Sequence, residues 1–351
     1  MNSTFREGDV VLLLKDITGQ VDPLPTAERE RRIQQGTHYS EMLPLEYRPT
    51  ADYIRIYEKA LDLFGQDTAD AVARVSDRIV RKKGRNVVIV SLARAGTPLG
   101  ILIRRYIRKK YGLECPHYSI SIIRDRGMDR NAIRYILDRH RAEDIQFVDG
   151  WTGKGVIWRE LKKEIAAMDG GLDDELAVLA DPAGLTALCG THRDILIPSS
   201  CLNCTVCGLI SRTFLRHDLI GANDFHGAAF YRELAGEDRT DEFIRRIEGL
   251  FRFDLPEETE TLPEGGGEEE VWRIAEKYRI SNLNYVKPGI GETTRVLLRR
   301  VPWKILAARG SEEDPGLEPI RQLAREKQVP VEYTELRHYR CCGLIRQLSD
   351  L

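Results

Sequence analysis

The chain contains no apolar run approaching the roughly 20 residues that a membrane-spanning helix needs. Nor does it open on a charged-then-apolar leader, since Met1 to Arg6 runs straight into a polar segment. A cytoplasmic protein with no membrane partner is therefore expected. Its formal net charge is only −2, so any polyanion site has to be local rather than spread over the molecule. Seven cysteines, odd in number and unevenly placed, argue against a disulfide framework and for reduced thiols. The GxxxxGK[ST] spacing of a Walker loop is missing, and so is any internal repeat. What remains is ordinary globular composition, 42% hydrophobic and 31% charged over 351 residues, enough for about two domains.

A boundary falls at residues 254–270, DLPEETETLPEGGGEEE, with eight acidic residues and no basic one. Such a stretch has little apolar surface to bury and reads as a solvated linker. It separates a domain at 1–253 from one at 271–351, where fifteen Lys/Arg face ten Asp/Glu. Before the linker, short apolar runs alternate with helical spacing. Strands are expected at 86–91, 117–123, 145–148, 175–180 and 194–198, and helices at 51–64, 97–111, 131–140 and 155–168. That alternation predicts an α/β fold with a mostly parallel sheet. The second domain reads as a small α/β/α sandwich, with helices near 271–279, 292–301 and 317–327 and strands near 284–287, 304–308 and 329–333.

Two strand-to-helix turns carry the chemistry that can be read from residues. In IQFVDGWTGKG, Ile145 to Gly155, a strand ends on Asp149 and turns into a helix. Backbone amides of Gly150, Gly153 and Gly155 with Thr152 and Lys154 predict an anion cradle, and Asp149 an acceptor for ribose hydroxyls. In VVIVSLARAGTPLG, Arg94 precedes Ala95, Gly96 and Thr97 at a helix start and offers a bidentate phosphate donor. The plainer alternatives are an ordinary turn with a surface lysine and a capped helix with a surface arginine.

Ser199 to Arg216 contains Cys201, Cys204 and Cys207 in CxxCxxC spacing. There is no second CxxC, so a metal site would need Cys189 or His217 as a fourth ligand, and packing as small apolar residues is the stronger reading. Cys201 just before a predicted helix, with His192, His217 or His226 nearby, would suit a thiol nucleophile. Asn203 and Thr205 would equally suit the substrate side of a cleft. Asp224 and His226 either line that cleft or cap a helix.

The two turns resemble the diphosphate loop and the ribose-phosphate signature of the type I phosphoribosyltransferases, and 123–131 stands where their mobile loop lies. The segments GTHYSEMLP, VSLARAGTPLG, FVDGWTGKG, LNCTVCGLISRTFLR and GANDFHGAAFY also resemble, over nearly the whole chain, a bacterial family linked to tellurite and stress resistance. That family carries both a phosphoribosyltransferase label and a StiP-type cysteine protease label, with a Pelota-type RNA-binding second domain. The resemblance implies PRPP as ligand and Mg²⁺ held mainly by that substrate. It also implies diphosphate stabilisation by Arg94, and Arg124 or Arg126 closing over it. RNA contacts are implied at Gly291, Glu292, Thr293, Thr294, Arg295, Arg299 and Arg300, and an oligomer is possible. One departure stands out: Gly150 replaces a second acidic residue, and Trp151 fills a shortened turn. The expectation is thus a phosphoribosyltransferase-like enzyme. The alternatives are a cysteine protease using Cys201 and a nucleotide-sensing RNA-binding regulator.

Overall fold

The computed structural model describes residues 1–168, 170–257, 262 and 266–347. Short strands β1 (Val11–Leu12) and β2 (Lys15–Asp16) lead to α1 (Thr26–Gln34) and then α2 (Ala51–Lys83). Helix α2 starts where expected, with the Thr50 hydroxyl accepting from Tyr53 N at 3.1 Å, but it runs far beyond Phe64. Its apolar face simply continues through Ala69, Val72, Val75 and Ile79. It stops at Gly84, whose φ of 75° suits a helix end.

Alternation follows: β3 (Val88–Ala93), α3 (Gly96–Tyr111), β4 (His117–Ile123), β5 (Gly127–Met128), α4 (Arg130–Leu137), β6 (Ile145–Trp151), α5 (Val156–Ala166), β7 (Ala177–Ala180) and β8 (Cys189–Thr191). The sheet order is β1-β4-β3-β6-β7-β8, parallel throughout, with β5 antiparallel on β4. Strands β3 and β4 are buried along almost their whole length because both faces are covered. Val72, Ile79 and Leu102 fill one side, and Ile133, Phe147 and Leu161 the other. Strand β9 (Gly227–Ala228), paired with β2, and α6 (Thr240–Glu248) complete this part.

The smaller C-terminal domain comprises α7 (Gly267–Lys277), β10 (Val286–Pro288), α8 (Ile290–Arg299), β11 (Pro302–Ala308), α9 (Glu318–Glu326), β12 (Val331–Thr334) and β13 (Cys341–Ile345). Its sheet order is β10-β13-β11-β12, so β13 is an inner strand. The sequence reading missed β13 because Cys341-Cys342-Gly343 has little strand propensity; burial on every residue decides it.

Other expectations change. Residues 194–198 form a loop and the start of a 3₁₀ turn, because Asp194 accepts backbone N–H groups from the other domain instead of joining the sheet. Cys201 ends that 3₁₀ turn, Pro198–Cys201, and a second 3₁₀ turn follows rather than an α-helix. The proposed linker lies partly outside the described residues. Its last four residues open α7, where Glu270 is buried and accepts from Arg337 N and His338 N at 2.7 and 2.8 Å. No described helix is long and apolar enough to cross a membrane.

Candidate functional site

Strands β3 and β6 are neighbours, so the turns after them emerge side by side at their carboxyl ends, the usual ligand edge of an open α/β sheet. Ala93, Arg94, Ala95, Asp149 and Trp151 line one cavity of about 140 Å³. It adjoins a larger one, about 370 Å³, between this sheet edge and the C-terminal domain.

The first turn does not present itself as a bare phosphate loop. Arg94, 3% exposed at its side chain, is paired with Glu46 at 2.8 Å and donates to Ile210 O at 2.9 Å. Burial works most strongly against its charge, but Glu46 together with Cys204 and Cys207 outweighs it and raises the pKa. Ala95 precedes α3 without a side-chain cap. Gly96 packs so closely on Asp149 that a β-carbon would lie 3.1 Å from Oδ1. Thr97 sits inside the helix, its hydroxyl 2.7 Å from that of Ser119.

The second turn is spent on packing and domain docking. Asp149 accepts from Gly150 N at 2.8 Å, and burial pushes its pKa up to about 6. Thr152 donates its hydroxyl to Asp181. Lys154 donates to the carbonyls of Leu283 and Val286 in the C-terminal domain; burial lowers its pKa to about 8. Gly153 faces Glu292, and its carbonyl accepts from Tyr339 Oη at 3.1 Å. Gly155, at φ 79°, starts α5. Arg124 reaches the larger cavity and donates to Asn284 Oδ1 at 3.1 Å, whereas Arg126 pairs outside it with Glu41 at 2.6 Å. Asn203 lines the smaller cavity and accepts from Arg299. Thr205 is buried apart from it, its carbonyl accepting from Arg239 N.

The residues expected to meet RNA face inward. Gly291 abuts Trp151, and Thr293 and Thr294 are fully buried. Glu292 pairs with Arg295 at 2.5 Å, and Arg300 with Glu30 at 2.5 Å. Helix α8 docks on the N-terminal domain through Asp194, which accepts from Ile290 N at 3.1 Å and Arg340 N at 2.9 Å.

The cysteines sort themselves by surroundings. Cys201 is fully buried, and burial pushes its thiol up to about 12. Its backbone carbonyl accepts from Tyr53 Oη, and among the described residues no positive partner of the kind a reactive thiol needs lies against it. Cys204 and Cys207 are likewise buried with raised pKa values. Asp224 pairs with Lys15 at 2.6 Å, and His226 Nδ1 meets Ser121 Oγ at 2.8 Å, so that pair is structural.

A different cysteine meets a histidine. Cys189 begins β8, and His192 follows its end. Cys189 Sγ lies 3.5 Å from His192 Nε2, and Arg78 Nη1 lies 3.8 Å from the same sulfur. His192 Nδ1 is 3.8 Å from the same sulfur, 3.1 Å from Asp181 O and 3.5 Å from Asp181 Oδ2. Asp181 directly follows β7, the neighbouring strand, whose Ala180 lies opposite Thr191. Its Oδ1 accepts from Thr152, and its Oδ2 from Leu185 N and Thr186 N at 2.7 and 3.0 Å. The three ligand atoms lie within 4.8 Å of one another and match a zinc site by residue type. The carboxylate, however, already serves three donors, and the histidine bridges thiol and acid, which is the layout for proton transfer. The sequence signal was the strand-end CGTH spacing; Cys189 and His192 entered the reading only separately.

Residues 3–248 match the family described as "Tellurite-like stress resistance cysteine protease StiP", and residues 266–347 match the "PELOTA RNA binding domain". The protein named "Cysteine protease StiP" from Acinetobacter baylyi (strain ATCC 33305 / BD413 / ADP1) is 36% identical over 369 residues, covering 99% of this chain and 95% of the relative. These findings overturn the phosphoribosyltransferase reading and favour the protease alternative. The structure agrees in kind, since the hydroxyl and ammonium groups expected to hold a phosphate are engaged by Asp181 and the C-terminal domain. The chain belongs to the StiP family of tellurite-like stress-resistance cysteine proteases.

Proposed function

We propose that the chain is a cysteine peptidase whose nucleophile is Cys189, with His192 as base and Asp181 as its orienting acid. The observation that carries this is the thiol–imidazole distance of 3.5 Å, with Asp181 against the other ring nitrogen. His192 Nε2 takes the thiol proton, and the Arg78 guanidinium faces the sulfur where negative charge develops. The thiolate adds to the peptide carbonyl, the C–N bond breaks, and His192 returns the proton to the leaving amine. Water then releases the acyl group from sulfur. Asp181 keeps the ring oriented and is itself held by Thr152 and two backbone amides. Cys201 has no part in this chemistry: it and Cys189 are both fully buried, but among the described residues only Cys189 has a histidine and a guanidinium against its sulfur. The C-terminal domain supplies RNA contact, supported by its match to an RNA-binding family.

The test is casein hydrolysis by the full chain. Cys189→Ala and His192→Ala should each lower the rate by about 10³-fold or more with unchanged melting temperature. Cys201→Ala should leave the rate per folded molecule intact. The reverse pattern overturns the assignment.

A further inference from the structure

Five side chains around the smaller cavity hold a polar atom that is buried and has no hydrogen-bond partner among the described residues: Arg94 Nη2, Trp151 Nε1, Ser200 Oγ, Asn203 Nδ2 and Arg299 Nε. Four of these are obligate donors. Arg94 and Asn203 are each only 6% exposed. A buried donor left without an acceptor is costly, and several of them in residues around one cavity point to an acceptor-rich guest.

The charge in the adjoining larger cavity points the same way. Among its lining residues, seven carry positive charge and two, Asp149 and Glu292, negative. Glu292 is already committed to Arg295. Among the described residues neither Arg212 nor Lys287 forms a close ion pair; Glu46 acts on Arg212 and Glu292 on Lys287 only at longer range, and Arg212 lies over the Tyr39 ring at 4.3 Å. Burial lowers Arg212 to about 9, and neighbouring Arg29 adds to that; burial and Lys154 lower Lys287 to about 7. Cations crowded together in a desolvated space await an anion.

Both domains build this space. Lys287, Arg295, Arg299 and Arg300 come from β10, α8 and the residue after it, and Arg94, Asn203 and Arg212 from the N-terminal domain. The guanidinium of Arg295 stacks over Trp151 at 4.5 Å, as that of Arg212 does over Tyr39, giving two flat platforms of the kind that bases stack on. A volume of about 370 Å³ suits one nucleotide unit and excludes a duplex.

We infer that the cavity between the two domains receives the phosphorylated end of a single-stranded RNA, whose terminal phosphate reaches the adjoining smaller cavity and is bound there by Arg94, Arg212 and Arg299. RNA recognition is then shared between the domains, and the basic face of α8 works inward rather than on the outer surface. The inference does not depend on the peptidase assignment, because its readout is binding.

The experiment measures binding of the full chain to a short single-stranded RNA carrying a 5′-phosphate, a 3′-phosphate or neither, beside AMP and inorganic phosphate. One phosphorylated form should bind about tenfold or more tightly than the unphosphorylated strand. Arg212→Gln and Lys287→Gln should each remove most of that preference and lower the salt slope by about one, with the melting temperature held. Equal binding of all three RNAs, or a preference untouched by both variants, overturns the proposal. Tight AMP or phosphate binding without RNA binding overturns the RNA source, leaving a free anion as the occupant.

Discussion

Gly291 lies directly beneath the indole of Trp151, where a β-carbon would come within 2.1 Å of Cε2. The first turn of α8 can meet the end of β6 only because no side chain intervenes, and this contact fixes how the C-terminal domain closes the cavity. Gly291→Ala should destabilise the docked form by about 1–3 kcal/mol, the usual cost of overpacking. Differential scanning calorimetry should show a lowered transition; an unchanged transition would remove Gly291 from the docking account.

Cys201 and Cys189 are both fully buried, but among the described residues only Cys189 has an imidazole and a guanidinium against its sulfur to favour the thiolate. Cys201→Ser places a hydroxyl in a fully buried setting and should cost about 1–3 kcal/mol in stability while sparing turnover per folded molecule. Iodoacetamide labelling, read by peptide mass spectrometry, should mark Cys189 before Cys201, and His192→Ala should slow the Cys189 labelling. Labelling of Cys201 first would contradict the assignment.

Asp194 gives the docking contact a pH dependence. Burial raises its pKa to about 6, above the ordinary 3.8, while the amides of Arg340 and Ile290 partly oppose the shift. The native state therefore holds this proton more tightly than the unfolded chain. Its contribution to stability is fully present below about pH 4 and is lost as pH rises through 6. The stability difference between wild type and Asp194→Asn should be greater at pH 4.5 than at pH 7.5, by about 2 kcal/mol. Urea unfolding at the two pH values checks this, and a difference of opposite sign would refute it.

Glu46 is the counter-ion that lets Arg94 stay buried, at side-chain exposures of 1% and 3%. Removing only the acid strands the cation. Glu46→Gln should cost about 3–5 kcal/mol in thermal or urea unfolding. A loss below about 1 kcal/mol would mean that other groups balance Arg94.

Much of the architecture was legible because it depends on local pattern. A strand at 86–91 could be read from its apolar β-branched run and one at 117–123 from alternation, and the charge reversal after residue 270 marked a second unit. The convergence of the turns at Arg94 and Asp149 followed from both leaving carboxyl ends of strands in a parallel sheet. Strand β13 escaped, since two cysteines and a glycine carry no strand signature until neighbours bury them.

The sequence alone determined the α/β class, the mostly parallel sheet and the presence of a small second domain, because periodicity and turn chemistry act over a few residues. It also supplied every side chain of the candidate site. Which acid meets the site's histidine was decided only by tertiary structure: strand register sets Asp181 beside His192, which lies three residues after the buried Cys189. Whether the Thr152 and Lys154 loop would face solvent or another domain was decided in the same way. Hydrogen-bonding capacity belongs to a residue, but its partner is fixed by packing between segments far apart in the chain.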